Sequence, residues 1–382
     1  MTFRRYACLA AALAVLMVRT PAAVQNLACP HAGLYAVSRG FVEPVGRLNT
    51  LARFCAGMEV DRRGDLYDLA QTDDWTKFAA GENARWAAFK KTKEKVAAWA
   101  EAELRPHEPA NSCVFYPFGG PDILYPCLLM PSAKLYVLVG LEPVGSPPDL
   151  EALRRLPLAK FLTQYSVALD DILRMSFFRR ADLQTELTTP VVDGVLPIFM
   201  VLLARTEREI VSIERGAINP RGEFVRAGND AKRRPRALRL RFRERRGPTH
   251  TLVYLSQDLS NPAVDSNRGF REFIEKNLSH GFGYIKSASY QMHKPVFSSI
   301  ARLTLSVSDV ILEDDSSIPY RLFDPGVWTI TLYGTYTGPI DLFKEYFQQD
   351  LFDAYAKGAK PLDFHIGYGK KSNLLLAVRK AG

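Results

Sequence analysis

CVFYPFGGPDILYPCLLMPSAKLYVLVGLEPVG, residues 113 to 145, runs from one apolar segment through a Gly-Gly-Pro-Asp corner to a second apolar segment that ends in Gly-Leu-Glu-Pro. The two apolar segments read as strands at 114–118 and 135–140, with a short helix-compatible piece between them. A strand, turn, helix and strand in this order is the unit of a parallel α/β sheet. It sets Asp122 and Glu142 just beyond the carboxyl ends of two strands, where such sheets place their ligand sites.

Downstream, Pro147-Pro148-Asp149 opens a helical region over roughly 150–175, and 195–204 reads as a second helical or buried piece. Ile210 to Ile213 suggests a strand, Thr251 to Ser256 a stronger one, and 264–278 a helix. Residues 303–312 are apolar and β-branched and end in Glu313-Asp314-Asp315. Val327 to Tyr333 and Leu374 to Val378 read as strands flanking a helix at 340–356. The alternation predicts a Rossmann-like α/β domain over 111–382, with a mostly parallel, doubly wound sheet. Upstream, 24–64 looks irregular and 65–105 helical, so 24–110 is expected to be a helical N-terminal segment packed on the body. Trp86, Phe89, Val96 and Trp99 form its buried stripe.

Residues 1–23 have the form of a signal peptide. Arg4 and Arg5 precede an apolar run from Tyr6 to Val18, and Thr20-Pro21-Ala22-Ala23 supplies small residues for cleavage near Ala22/Ala23. This predicts an exported protein, periplasmic or secreted, with no transmembrane segment, since no later apolar run approaches the ~20 residues of a spanning helix. Export would leave Cys29, Cys55, Cys113 and Cys127, which allow three pairings. Cys29–Cys55 is the preferred bridge, Cys113–Cys127 looks strained, and four free packed thiols are the alternative. The 382-residue chain carries a formal charge of +9 with 47% hydrophobic residues, and loss of 1–23, with Arg4, Arg5 and Arg19, would leave a mild excess of +6. Such an excess suits anionic surroundings without calling for nucleic acid.

The basic residues concentrate. Residues 205–246 hold 14 basic against six acidic side chains, and within them Leu238, Leu240 and Phe242 alternate with Arg239, Arg241 and Arg243. Period two gives a strand with one apolar face and one guanidinium face. This predicts a basic β-hairpin insertion, about 205–250, laid over the body. The arginines would contact an anionic lipid, glycan or envelope protein, or else serve as the cationic guard of an edge strand.

Acidic residues mark the other candidate site. Asp122, Glu142, Asp258, Asp314 and Asp315 each follow an expected strand, so parallel neighbours would bring them to one rim. Converging there, they would hold Ca²⁺ or Mg²⁺, or divide acid and base roles. His280, His293, Tyr320 and Arg321 fall in nearby loops. The alternative is that Asp122 and Asp258 cap helices and that Asp314-Asp315 begin a turn. No nucleotide cofactor is expected. GxGxxG is absent, and Pro126 interrupts the short helix after the Gly119-Gly120 corner. Tyr290 and Lys294 have the YxxxK spacing of short-chain dehydrogenases without that family's glycine-rich opening.

The segments FYPFGGPD (115–122) and GLEPVG (140–145) resemble the signature of a family of exported bacterial proteins of unknown function. IPYRLF (318–323), YGTYTGPI (333–340) and QQDLFDAY (348–355) are similar to that family's C-terminal part. The resemblance covers about residues 110–380. It implies an exported α/β protein and brings no established activity, cofactor or catalytic residue. The order of elements is also similar to that of class I methyltransferases, as a fold analogy. Two functions follow as expectations. One is a non-catalytic envelope binding protein that uses the basic hairpin. The other is a periplasmic hydrolase or metal-dependent enzyme that uses the strand-end carboxylates.

Overall fold

The computed structural model describes residues 44–109, 112–155, 157–176, 192–227, 235–368 and 371–381. The expected signal peptide and Cys29 lie outside them. Among the described residues no helix is long and apolar enough to cross a membrane.

Among the described residues ten strands form one mixed sheet. They are β1 (Cys113–Tyr116), β2 (Leu135–Gly140), β3 (Arg208–Ile218), β4 (Phe224–Arg226), β5 (Ala237–Glu244), β6 (Thr249–Ser256), β7 (Gly281–Ile285), β8 (Ser308–Glu313), β9 (Trp328–Gly334) and β10 (Asn373–Arg379). Their spatial order is β4-β3-β5-β6-β2-β1-β7-β8-β10-β9. The five central strands, β6-β2-β1-β7-β8, are parallel. The pairs β4-β3, β3-β5, β5-β6, β8-β10 and β10-β9 are antiparallel.

The expectation of a mostly parallel sheet is therefore corrected, because antiparallel pairs outnumber parallel ones. For β5 and β6 the reason is loop length. A short turn joins β5 to β6, with the Gly247 amide donating to the Glu244 carbonyl at 2.8 Å. So short a connection permits only an antiparallel return, since parallel neighbours need a crossover of a dozen residues or more. The basic insertion is corrected in the same way. Rather than lying over the body, β3, β4 and β5 extend the sheet in its own plane.

Period-two alternation in the central strands feeds two cores. Val114, Tyr116, Tyr136, Leu138, Leu252 and Tyr254 enter the core on one face. Phe115, Val137, Val139, Val253 and Leu255 enter the core on the other. The first face is covered by α1 (Val45–Cys55), α3 (Asp73–Glu103), α4 (Leu124–Leu129), α6 (Leu158–Met175) and α7 (Leu196–Arg205), with α2 (Tyr67–Ala70) and α5 (Leu150–Arg155) as short connectors. The second face is covered by α8 (Asn261–Ser266), α9 (Arg268–Leu278), α10 (Ser298–Val307) and α11 (Gln349–Ala356).

α3 begins at Thr72, whose hydroxyl accepts the Trp75 amide at 3.3 Å, and Asp73 and Asp74 fill its first turn. Both features suit the positive end of a helix. Its stripe packs as expected: Phe89 and Val96 are buried, and Trp86 and Trp99 rest half-buried against the core. Several boundaries differ from the sequence reading, among them the helix expected at 340–356, whose α-helical part, α11, begins only at Gln349. Residues 45–55 are helical, not irregular. The 150–175 helix is divided, α5 ending at Arg155 and α6 beginning at Leu158, and Asn267 splits 264–278 by capping α9 through the Phe270 amide at 3.0 Å. The apolar run 303–312 is the end of α10 followed by β8.

Cys55 and Cys127 are buried free thiols, and Cys113 is buried as well. Burial pushes the Cys55 thiol up to about 12 and the Cys127 thiol up to about 11.

Candidate functional site

Because β6, β2, β1, β7 and β8 run parallel, the loops after them meet on one rim. Asp122, Glu142, Asp258, Asp314 and Asp315 all lie there, as the strand ends require. They do not pool. Each carboxylate has a separate partner set within the chain.

Asp122 faces Lys286, the residue after β7, at 2.9 Å, and their side chains are 2% and 1% exposed. Asp122 also accepts the Tyr125 amide at 3.1 Å and the Tyr116 hydroxyl at 3.3 Å. Lys286 donates in addition to the Ser176 carbonyl and sits 4.3 Å from the centre of the Tyr125 ring. Tyr116 and Tyr284 close the pocket with ring centroids 4.6 Å apart. Burial, then the Asp122 charge, raises the Tyr116 phenol well above its ordinary range. The Tyr284 hydroxyl, buried in the same pocket, has no hydrogen-bond partner among the described residues.

Glu142 is paired elsewhere, with the Tyr254 hydroxyl at 3.2 Å. Asp258 is exposed and holds its own turn, accepting the Ser260 amide at 2.9 Å and hydroxyl at 3.0 Å.

Three consecutive acids end β8. Glu313 accepts the Ile318 amide at 3.1 Å, and burial raises its pKa well above the carboxylate range. Asp314 receives the Ser287 amide at 2.8 Å and the Ser316 hydroxyl at 2.6 Å, which ties the β7 loop to the β8 loop. Burial raises its pKa against those bonds. Asp315 takes the Tyr290 hydroxyl and, at 2.8 Å, the Asn373 amide. Burial and the neighbouring Asp314 charge push it up to about 6. A cavity of about 10 Å³, the size of one water, is lined by Glu313, Asp315, Gln348 and Asn373. Ser287, Ser289 and Tyr290 hold positive φ angles of 55°, 53° and 54°, a run of strained backbone of the kind found at functional loops.

His293 lies in the same region, its ring 5.1 Å from Tyr290 and 5.7 Å from Tyr346. Its Nε2 is buried without a partner among the described residues. Burial, then the charge of Arg321, lowers its pKa to about 4. The unfolded chain thus takes up a proton near pH 6.5 that the folded chain refuses until about pH 4. This contribution to stability is present above pH 6.5 and is lost as pH falls through that window. Asp315 opposes it: its raised pKa contributes stability at low pH that is lost as pH rises through about 6. A proton NMR titration of His293 should show a midpoint near 4, and one at 6 or above would mean a solvated ring.

His280 is placed elsewhere. It precedes β7 on the opposite rim, is 74% exposed, and pairs with Asp309 at 3.1 Å, so it takes no part in the strand-end cluster. Lys294 does not approach the Tyr290 hydroxyl; its ammonium donates to Gln291 at 3.4 Å and sits 6.0 Å from the Tyr346 ring centre. Tyr320 lines the small cavity and Arg321 is exposed. Among the described residues no group of three or more His, Cys, Asp or Glu side chains is placed to share a metal ion. The rim acids as they stand, each already engaged, do not fit a shared Ca²⁺ or Mg²⁺.

The arginine face is a second arrangement. On β5, Leu238, Leu240 and Phe242 are buried, while Arg239, Arg241 and Arg243 point to the other side. Register sets Arg239 opposite Glu214 and Arg243 opposite Glu209, with contacts of 2.6 Å and 3.8 Å. Arg239 also stacks 4.5 Å over the Phe224 ring. Arg226 of β4 stands exposed and, with Arg239 and Arg241, lowers the Glu214 carboxyl below the usual range; the Arg239 bond contributes most. Four guanidinium groups thus share this face with two carboxylates.

Lys286 is the residue that the sequence reading missed. It ends the run Phe282-Gly283-Tyr284-Ile285, and a lysine closing a short strand next to a paired acid is the signal that would have found it. Comparison with family models, with curated proteins and with solved structures returns no match.

Proposed function

We propose that this is an exported, non-catalytic binding protein that contacts anionic lipid headgroups through Arg226, Arg239, Arg241 and Arg243, carried on a Rossmann-like scaffold. The observation that carries the reading is the exposed sheet face on which four arginines outnumber two glutamates. Guanidinium groups in a row match phosphate geometry, and each cation near an anionic membrane adds about 1 kcal/mol of attraction. The cross-strand glutamates hold Arg239 and Arg243 extended along the sheet, which lowers the cost of ordering them.

The scaffold reading is supported by the order β6-β2-β1-β7-β8-β10-β9, with β10 reversed between β8 and β9. That order is similar to the class I methyltransferase arrangement. The corner where such folds seat a cofactor is filled by the chain itself. A Cβ at Gly140 would lie 2.8 Å from the Tyr254 hydroxyl and 3.0 Å from the Gly120 Cα. The strand-end acids support a catalytic reading less, because each is already engaged within the chain.

The test is sedimentation with vesicles of phosphatidylcholine alone or mixed with phosphatidylglycerol. Wild type should bind the mixed vesicles, more weakly at high salt, and should ignore the neutral ones. The triple variant R239Q/R241Q/R243Q should lose about two orders of magnitude in affinity with little change in melting temperature, since exposed ion pairs contribute only ~0–1 kcal/mol each. Equal binding of variant and wild type, or equal binding to both vesicles, would rule the reading out.

A further inference from the structure

We propose that the open edge of β9, with the groove beside it, takes an extended acidic peptide segment of a partner protein by strand addition. β9 is the last strand of the sheet, and only β10 pairs along its whole length. On its other side, among the described residues, the chain makes a single rung. Lys360 donates its amide to the Leu332 carbonyl at 2.8 Å, and Gly334 donates to the Lys360 carbonyl at 2.8 Å. Beyond Lys360 the chain makes no further backbone bond to this edge of β9 among the described residues.

Strand geometry fixes what remains. Leu332 and Gly334 point their polar groups to this edge, so Ile330, two residues earlier, does too. Trp328 is closed off by its own bond to the Asp324 carbonyl at 2.9 Å. That leaves the Ile330 amide and carbonyl and the Leu332 amide facing outward, unpaired among the described residues.

Edges left bare in this way invite pairing, and proteins usually guard them with charge, proline or brevity. The opposite edge, β4, is guarded: it is three residues long and ends in Arg226. β9 is seven residues, WTITLYG, β-branched and aromatic with no charge or proline. Beside it lies a groove of about 630 Å³ lined by Tyr320, Ile330, Leu332, Ala354, Lys357 and Lys360. The turn Tyr320–Leu322 and α11, which contribute Tyr320 and Ala354 to the groove lining, also carry Leu322, 42% exposed, and Phe352, 40% exposed, outside that lining. An apolar floor next to unpaired backbone is the arrangement of β-augmentation sites, where main-chain bonds give affinity and alternate side chains give selectivity.

Charge selects the occupant. The groove lining includes two ammonium groups and no carboxylate. Lys360 is paired with Glu103 at 2.8 Å, which leaves the Lys357 charge to meet an Asp or Glu side chain on the incoming strand.

A random heptapeptide library displayed on phage and selected on the full chain tests this. Enriched peptides should alternate apolar or β-branched residues with others and contain an acid, and synthetic copies should bind in calorimetry. Lys357→Glu should weaken them at least tenfold without altering the melting temperature. Ile330→Pro should abolish binding, because it removes an outward amide and no bond to β10. N-methylation of the peptide's central amides should do the same with the protein untouched, whatever the proline variant does to folding. The triple arginine variant should bind the peptides normally. No enrichment, or binding indifferent to Lys357→Glu or to N-methylation, would overturn the proposal.

Discussion

Gly145→Ala should yield no stably folded protein, while Gly46→Ala should be harmless, although both glycines end the same four letters, Glu-Pro-Val-Gly. Gly145 has φ +72°, and a Cβ there would lie 1.6 Å from the Asp193 carbonyl oxygen and 2.7 Å from the Gly194 Cα. The obstacle is backbone, and it cannot step aside. Ser146 donates to the Asp193 carbonyl at 3.1 Å, Val195 to the Pro143 carbonyl at 3.0 Å and Leu196 to the Val144 carbonyl at 3.1 Å. These bonds seat the start of α7, whose residues Leu196 to Ala204 are all buried. Left-handed strain alone costs about 1–3 kcal/mol, and pulling the α7 entry off the sheet takes the total past ~5 kcal/mol, comparable to the whole stability of many domains. Gly46 lies in the first turn of α1, and a Cβ there would meet nothing within 4 Å. Alanine at this position should stabilise by up to about 1 kcal/mol. Circular dichroism and urea unfolding of the two variants decide. A Gly145→Ala protein that melts within a few degrees of wild type would mean that the two backbone segments do not cross as tightly as this.

The crossing also shows what part of this molecule was readable from its letters. The strands at 114–118 and 135–140 were legible as short apolar runs bounded by turn residues, and the one at 238–243 because its side-chain polarity repeats with the period of the pleat. The shared rim was legible because parallel strands that end in acids must set those acids side by side. Two things were not. β7 escaped notice because Gly281 and Gly283 dilute its apolar run. Yet Gly283 is small for a packing reason: a Cβ would stand 2.9 Å from the Ser308 hydroxyl and 3.1 Å from Ile311. With β7 unread, Lys286 had no place on the rim. The second is partner choice among the acids. Proximity on a rim does not decide whether carboxylates face one another or turn to local donors. Here Ser316 and Ser317 claim Asp314, Tyr254 claims Glu142 and Ser260 claims Asp258. Those bonds depend on loop conformation that composition does not encode.

Lys286→Met should destabilise the protein by about 3–5 kcal/mol, the cost of leaving one member of a buried ion pair alone. For a chain of this size, that lowers the melting temperature by about 6–15 °C. Asp122→Asn should cost a similar amount from the other side. It strands the ammonium group with only the Ser176 carbonyl and the Tyr125 ring for company. The double variant Asp122→Asn/Lys286→Met removes both charges. It retains an acceptor for the Tyr125 amide, so it should be more stable than the sum of the single losses by ~2 kcal/mol or more. Asp258→Asn is the control, since that carboxylate is exposed and holds only its own turn, and it should stay within about 1 kcal/mol of wild type. The cycle separates two readings of the rim. Full coupling with large single losses makes Asp122 and Lys286 a structural clasp between the β1 and β7 loops. Single variants that keep their melting temperature would instead describe a pair open to solvent, with charges held ready for a substrate, and would return the strand-end acids to the front of any account of function.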